Sequence, residues 1–264
     1  MAYIPGRKSH RRKEREKEPE SPRRRGEQAP DVLPTSDLDL VKLKQAHEAL
    51  ENTHHTLRET QSEMIFRFAI AAEYKDADTG GHILRISDYS VELARAIHMP
   101  EEQVAELRYA SPMHDIGKIG IPDSILQKPG KLTPEEWEIM KQHTLIGSKI
   151  FDGSQSPLLK AAAQIALTHH EKFDGSGYPR GLKGENIPIF GRIVAIVDVF
   201  DAIVSERCYK KASTFAEGME YIASLGGTHL DPVLVKRFVG LEERIEDIYR
   251  ANHTIQEFIK DGLM

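Results

Sequence analysis

The sequence predicts an all-α fold, a helical bundle entered through a long N-terminal connector helix. Three observations predict it. Apolar residues recur at helical spacing, as in Leu43, Leu50, Leu57 and Met64 and again in Ile83, Ile86 and Tyr89. Helix-start signals stand before several apolar runs. The one run rich in Val and Ile, "GRIVAIVDVFDAIV", has no evident partner strand.

Residues 1–35 mix both charges with Pro and almost no large apolar groups. Such a segment buries too little surface to offset its ordering entropy, so it is expected to be a disordered, charged tail. From about Ser36 the chain reads as one helix running to about Asp76, with 36–64 as the connector. Its leucines hold heptad spacing, but the companion seam of Leu40, His47, His54 and Gln61 is mostly polar. A weak homodimer or contact with a regulatory protein is expected there. Residues 65–264 form the main domain. In it, "LTPEEWEIM" offers Thr133 as N-cap, Pro134 in the first turn and Glu136 closing a capping box. Ser156 with Pro157, and Asp231 with Pro232, open two further helices. The Val/Ile-rich run is read as a buried helix because of its length.

A chain of 264 residues suffices for one good-sized domain plus an extension. Its formal net charge of -5 does not fit a general binder of nucleic-acid polymers. With one cysteine, Cys208, it has no internal disulfide and no cysteine-based zinc site, which fits a reducing cytoplasm. No apolar run approaches the ~20 residues that span a bilayer. No apolar core follows the N-terminal charges, so a secretory signal is not expected.

The chemistry lies in an ordered set of histidines and aspartates. They are His82, the doublet His114 and Asp115 in "MHDIGKIGIPD", His143, the pair His169 and His170, and Asp198 in "AIVDVFDAI". They fall roughly thirty residues apart, about one helix plus one loop each. In an antiparallel bundle that spacing returns each to a common depth. Such groups converging in one core are unfavourable unless paired or ligated, which points to a metal centre. Imidazole suits Fe, Mn, Co, Ni or Zn, carboxylates can bridge two ions, and the lack of thiolate argues against structural zinc. After the histidine pair comes "EKFDGSGYPRGLKGE", too broken for a helix and too polar for a buried strand. It follows no strand and does not match a phosphate-cradling P-loop.

"HDIGKIGIPD", "HHEKFDGSGYPRGLKGENIP" and "VDVFDAI" together resemble the HD-GYP family of HD-domain phosphohydrolases, over about Ile65 to Phe238. Gly177, Tyr178 and Pro179 are the GYP itself. The resemblance implies an HD-domain helical bundle and a metal-dependent phosphodiesterase that cleaves cyclic di-GMP to pGpG and on to GMP. It implies two or three divalent transition metals, iron or manganese, held by His82, His114, Asp115, His143, His169, His170 and Asp198, with Asp115 bridging. It places Lys118 near the scissile phosphate, Arg207 and Lys210 on substrate phosphate, and Tyr178 in the wall of the site. Two positions depart from the pattern. Asp78 stands where many trinuclear members have Glu, which bears on a third ion, and Cys208 stands where Pro is usual. Two alternatives stay open. One is a non-catalytic cyclic-dinucleotide sensor or scaffold. The other is an HD phosphohydrolase acting on cyclic GMP-AMP or another nucleotide.

Overall fold

Side-chain caps set where helices begin. Thr133 Oγ1 accepts the backbone N–H of Glu136 at 3.3 Å, and the Glu136 carboxylate accepts that of Thr133 at 2.8 Å. This is the capping box expected from the sequence. Thr214 and Glu217 form a second one, at 3.2 and 2.7 Å. Asp231 Oδ1 accepts from the N–H groups of Val233 and Leu234. Ser156 holds an N-cap position without a side-chain cap bond, so the start there rests on Pro157 and its pre-set φ.

The computed structural model describes residues 37–73, 75, 81–205 and 212–251. The helices are α1 (Asp37–Glu73), α2 (Gly81–Ala96), α3 (Glu101–Ala110), α4 (Asp123–Leu126), α5 (Pro134–Met140), α6 (Gln142–Ile150), α7 (Pro157–Thr168), α8 (Ile189–Val204), α9 (Phe215–Ser224), α10 (Pro232–Val239) and α11 (Glu242–Arg250). Short 3₁₀ segments lie at Ser111–Met113, Ile116–Gly120 and Gly184–Asn186. Among the described residues no strand is present, so the chain is all-α as expected. The Val/Ile-rich run is α8, buried along most of its length. The tail 1–35, Asp78, Arg207, Cys208 and Lys210 lie outside the described residues.

The chain divides into one unit ending at Glu51 and another starting at Asn52. In the first, Leu43 and Leu50 of α1 are exposed. In the second, Leu57 and Met64 are exposed too, while Phe66 and Ala69 turn inward onto Ile83 and Leu84 of α2. The main core joins α2, α3, α7, α8, α9, α10 and α11. At its centre Tyr89, Phe200 and Phe238 pack edge to face, with ring centroids 5.2 to 6.5 Å apart. Burying each such ring contributes about 1.5–3 kcal/mol.

One close approach positions the site. A Cβ on Gly117 would lie 1.9 Å from the His143 carbonyl oxygen. Only glycine lets the 3₁₀ segment after His114 and Asp115 lie against α6. That contact sets the His114–Asp115 turn beside His143.

Candidate metal centre

The fold gathers His82, His114, Asp115, Lys118, His143, His169, His170, Tyr178 and Asp198 from elements far apart in sequence. His82 sits in the first turn of α2, His143 on α6 and Asp198 on α8. His169 is the C-cap of α7, followed directly by His170. The HD doublet stands between two 3₁₀ segments, with Asp115 at φ -101° and ψ 9°. That sparsely populated region is frequent at functional positions.

The donors fall into two groups that could each hold a metal ion. One is Asp115, His143, His169 and His170, and the other is His82, His114 and Asp198. The doublet thus splits, one member to each group. Asp115 Oδ1 lies 3.3 Å from His143 Nε2 and 3.4 Å from His169 Nε2, and its Oδ2 lies 3.5 Å from His114 Nε2. Asp198 Oδ1 lies 3.7 Å from His82 Nε2 and 3.8 Å from His114 Nε2. Ligand atoms ~2.1 Å from a shared ion sit roughly 3.0–3.4 Å apart, so the first group is already near ligand spacing and the second is slightly open.

Unsatisfied atoms make the same point. His114 Nε2, Asp115 Oδ1, His143 Nε2 and His169 Nε2 are buried without a hydrogen-bond partner. Four such atoms facing one another would be strongly unfavourable without an ion or water between them. Their opposite ring nitrogens are all engaged. His114 Nδ1 contacts the Ser111 carbonyl at 3.0 Å, His143 Nδ1 that of Met140 at 2.8 Å, and His169 Nδ1 that of Ile165 at 3.1 Å. A carbonyl only accepts, so Nδ1 carries a proton in each ring, and Nε2 is the inward nitrogen whose lone pair is available in the neutral form.

His82 is held differently. Its Nδ1 donates to Asp201 Oδ2 at 2.7 Å. Arg85 binds the same carboxylate through Nε at 2.6 Å and a terminal nitrogen at 2.8 Å. Asp198 and Asp201 are three residues apart on α8, so they share a face. One imidazole therefore has a carboxylate from α8 on each side. Asp201 and Arg85 escaped the sequence reading, although the i, i+3 spacing from Asp198 carried a signal.

Electrostatics follows this geometry. Burial pushes Asp115 up, but Lys118 and His114 outweigh it and hold its carboxyl well below the usual range. Lys118 Nζ lies 2.7 Å from Asp115 Oδ2. Burial pushes His143 down to about 4. Burial, with His169 close by, takes His170 well below its ordinary value. Both are neutral at pH 7, the form that binds metal. Burial also pushes His82 down, yet the Asp201 hydrogen bond and charge prevail and raise it to about 9. His114 is likewise raised by Asp115 against its burial.

The loop after the histidine pair forms one wall. Glu171, buried, accepts the backbone N–H groups of Arg180 at 2.7 Å and Leu182 at 2.9 Å. A Cβ on Gly177 would lie 2.2 Å from the Lys172 backbone nitrogen, so the loop folds back against its own start. Tyr178 donates its backbone N–H to the His170 carbonyl, and its ring lies 4.8 Å from the His170 ring. The Tyr178–Pro179 peptide is cis. Trp137 meets the Tyr178 ring edge to face at 5.9 Å. Sequence reasoning missed Glu171 and Trp137, whose roles depend on contacts that no local pattern displays.

The family described as HD domain matches residues 46–234. A cyclic di-GMP phosphodiesterase of Thermotoga maritima is 54% identical over 179 residues, covering 68% of this chain and 49% of the relative. The 3'3'-cGAMP-specific phosphodiesterase 2 of Vibrio cholerae is 46% identical over 180 residues, 68% of this chain and 34% of that protein. The chain thus spans about half or less of the length of these curated relatives. A crystal structure of a cyclic GMP-AMP-specific phosphodiesterase of V. cholerae superposes with a TM-score of 0.56 at 19% identity. It covers 76% of this chain and 53% of that one, and it supports the fold alone.

Proposed function

The chain belongs to the HD domain family, and from that premise we propose that it is a metal-dependent phosphodiesterase hydrolysing cyclic di-GMP to pGpG and GMP. The observation that carries this proposal is the pair of donor groups joined through the HD doublet, with inward Nε2 and carboxylate atoms left unpaired. The donor set is imidazole and carboxylate without thiolate, which fits iron or manganese. His143, His169, His170 and Asp115 would hold one ion, and His82, His114 and Asp198 another, with Asp115 bridging. Asp78 is the carboxylate we assign to a weaker third ion. Bound there, such ions would supply Lewis acidity and bring the pKa of a bound water from ~16 toward ~7.

The remaining steps belong to side chains. Lys118, beside the bridging carboxylate, binds a non-bridging phosphate oxygen and stabilises the charge that grows on it. Arg207 and Lys210 hold substrate phosphate. Tyr178, fixed by the Glu171-pinned loop, orients the substrate against the His170 side. Asp201 keeps His82 in one tautomer and one ring orientation. Residues 65–264 form the catalytic domain, with 36–64 as a connector through which a second copy or a regulatory protein acts. The single cysteine fits a reducing compartment, and the reaction is placed in the cytoplasm. Among the described residues no helix is long and apolar enough to cross a membrane.

The name of the 46% identical V. cholerae relative favours a second substrate, cyclic GMP-AMP. One experiment tests both. Anaerobically purified protein is incubated with each dinucleotide, products are resolved by chromatography, and metal content is measured on the same sample. Linear products from cyclic di-GMP, lost in a strong chelator, are expected. Intact substrate with metal-loaded protein would reject the catalytic assignment in favour of a sensor. Cleavage of cyclic GMP-AMP alone would move the assignment to that substrate.

A further inference from the structure

Trp137 is the only tryptophan in the sequence, and the proposed chemistry does not use it. It stands on α5, whose start is fixed by the Thr133–Glu136 capping box and by Lys128 Nζ, 2.6 Å from the Glu136 carboxylate. No residue of α5 is buried, and Trp137 is 44% exposed. Burying an aromatic ring contributes about 1.5–3 kcal/mol, and α5 forgoes much of that here.

A single exposed apolar side chain is ordinary on a protein surface. This one stands at the wall of the candidate centre. Its ring meets Tyr178 edge to face, with centroids 5.9 Å apart. Tyr178 in turn lies 4.8 Å from the ring of His170, a member of the four-residue donor group. Two ring contacts therefore separate the indole from a candidate metal ligand. A perpendicular contact covers at most one indole face, and the exposure of the residue leaves ring surface open.

Fixing Tyr178 does not require the indole. Its backbone N–H is bonded to the His170 carbonyl at 3.2 Å, and Glu171 pins the backbone of Arg180 and Leu182 just after it. Lys141 Nζ also lies over its ring, 5.9 Å from the centroid. A dinucleotide whose phosphate sits at the metal centre carries its base one ribose away. Every nucleobase presents a flat π-face, and such faces stack on open aromatic side chains.

We propose that Trp137 is a base-stacking residue of the substrate site, holding one purine base of the cyclic dinucleotide while the phosphate sits at the centre. The proposal rests on the phosphodiesterase reading above and adds a base contact to it. Stacking of this kind grips substrate and transition state alike, so it lowers KM and leaves kcat unchanged.

Because Trp137 is the sole tryptophan, indole emission reports this position alone. Mn²⁺-loaded, full-length protein is mixed rapidly with cyclic di-GMP, and emission is followed within the first turnover. Inorganic phosphate, which has no base, is the control. Steady-state kinetics are measured for wild type, Trp137→Phe and Trp137→Leu. Cyclic di-GMP should quench the emission saturably, and phosphate should leave it unchanged. Trp137→Leu keeps an apolar side chain against Tyr178 but has no π-face. It should raise KM by about 5–150-fold, the loss expected for one stacked base, with kcat within a few-fold of wild type. Trp137→Phe keeps a flat ring and should raise KM by less. Unchanged emission, or an equal change with phosphate, in a wild type that binds or cleaves cyclic di-GMP would overturn the role of Trp137 alone. So would unchanged KM in Trp137→Leu. A lower kcat at unchanged KM would show that the indole only positions Tyr178, and would overturn the stacking role as well. A wild type that neither binds nor cleaves cyclic di-GMP would overturn the substrate assignment and this inference with it.

Discussion

Replacing Asp201 by Asn is the sharpest test of how the centre is held. The side chain is fully buried and joins four hydrogen bonds, from His82, twice from Arg85, and from Ser205. Asn keeps the shape but loses the charge, and its NH2 cannot accept. At least one N–H of His82 or Arg85 is left facing a donor. The Arg85 side chain is only 14% exposed, so the broken ion pair is largely desolvated. Losing one partner of such a pair costs about 3–5 kcal/mol. At ~2–4 °C per kcal/mol for a unit of this size, the metal-free melting temperature should fall by roughly 6–20 °C. The metal effect is separate. Freed from Asp201, His82 samples other orientations and tautomers, and Mn²⁺ affinity of its group should drop about 10–100-fold. Scanning fluorimetry reads the first quantity and calorimetric titration the second, both below the lowered melting point. Wild-type Mn²⁺ affinity in a destabilised Asp201→Asn protein would refute the claim that Asp201 tunes a ligand. Wild-type values of both would refute the account of this network altogether.

Other outcomes are expected from the same geometry. Asp115→Ala should remove metal from both groups and lower kcat/KM by more than about 100-fold, since it faces both; metal analysis and product assays check this. Lys118→Ala should lower kcat by about 10²–10³-fold with little change in KM, because its charge is most useful as negative charge grows on phosphate; comparable loss in KM would reject that role. Metal-free protein should be most stable near pH 6.5. Below that, unfolded chains bind protons that buried His143, at about 4, and His170 refuse, so stability falls with pH by up to about 1.4 kcal/mol per unit per histidine. Above it, the stability contributed by protonated His82 is lost as pH rises through about 9, and melting curves from pH 5 to 9 check both limbs. A truncation starting at Met64 should lower the mass in solution or abolish partner binding, and light scattering that reports an unchanged mass with partner binding intact would exclude the connector as an interface.

Helix positions were legible in the sequence because their causes are local. The Thr133 box needs only Thr133, Pro134 and Glu136, and α8 needs only its own apolar length. The candidate donors were legible as an ordered motif, from His82 to Asp198. Asp78, Arg207 and Lys210 rest on the motif by itself, because they lie outside the described residues.

What the sequence could not display is set by contacts between residues far apart along the chain. Periodicity places His114 and Asp115 side by side, but only the turn between two 3₁₀ segments sends them to different groups. The doublet stays one motif in sequence but gives one member to each donor group in space. The partner of His82 is 119 residues away, on a face of α8 whose direction depends on how that helix packs. Glu171 reads as one acid among several until the loop brings two backbone N–H groups onto it. Sequence alone determined which atoms could ligate, since donor chemistry belongs to the residue. Tertiary structure decided which lone pairs face inward, since a ring tautomer is set by whichever oxygen the fold places against its other nitrogen.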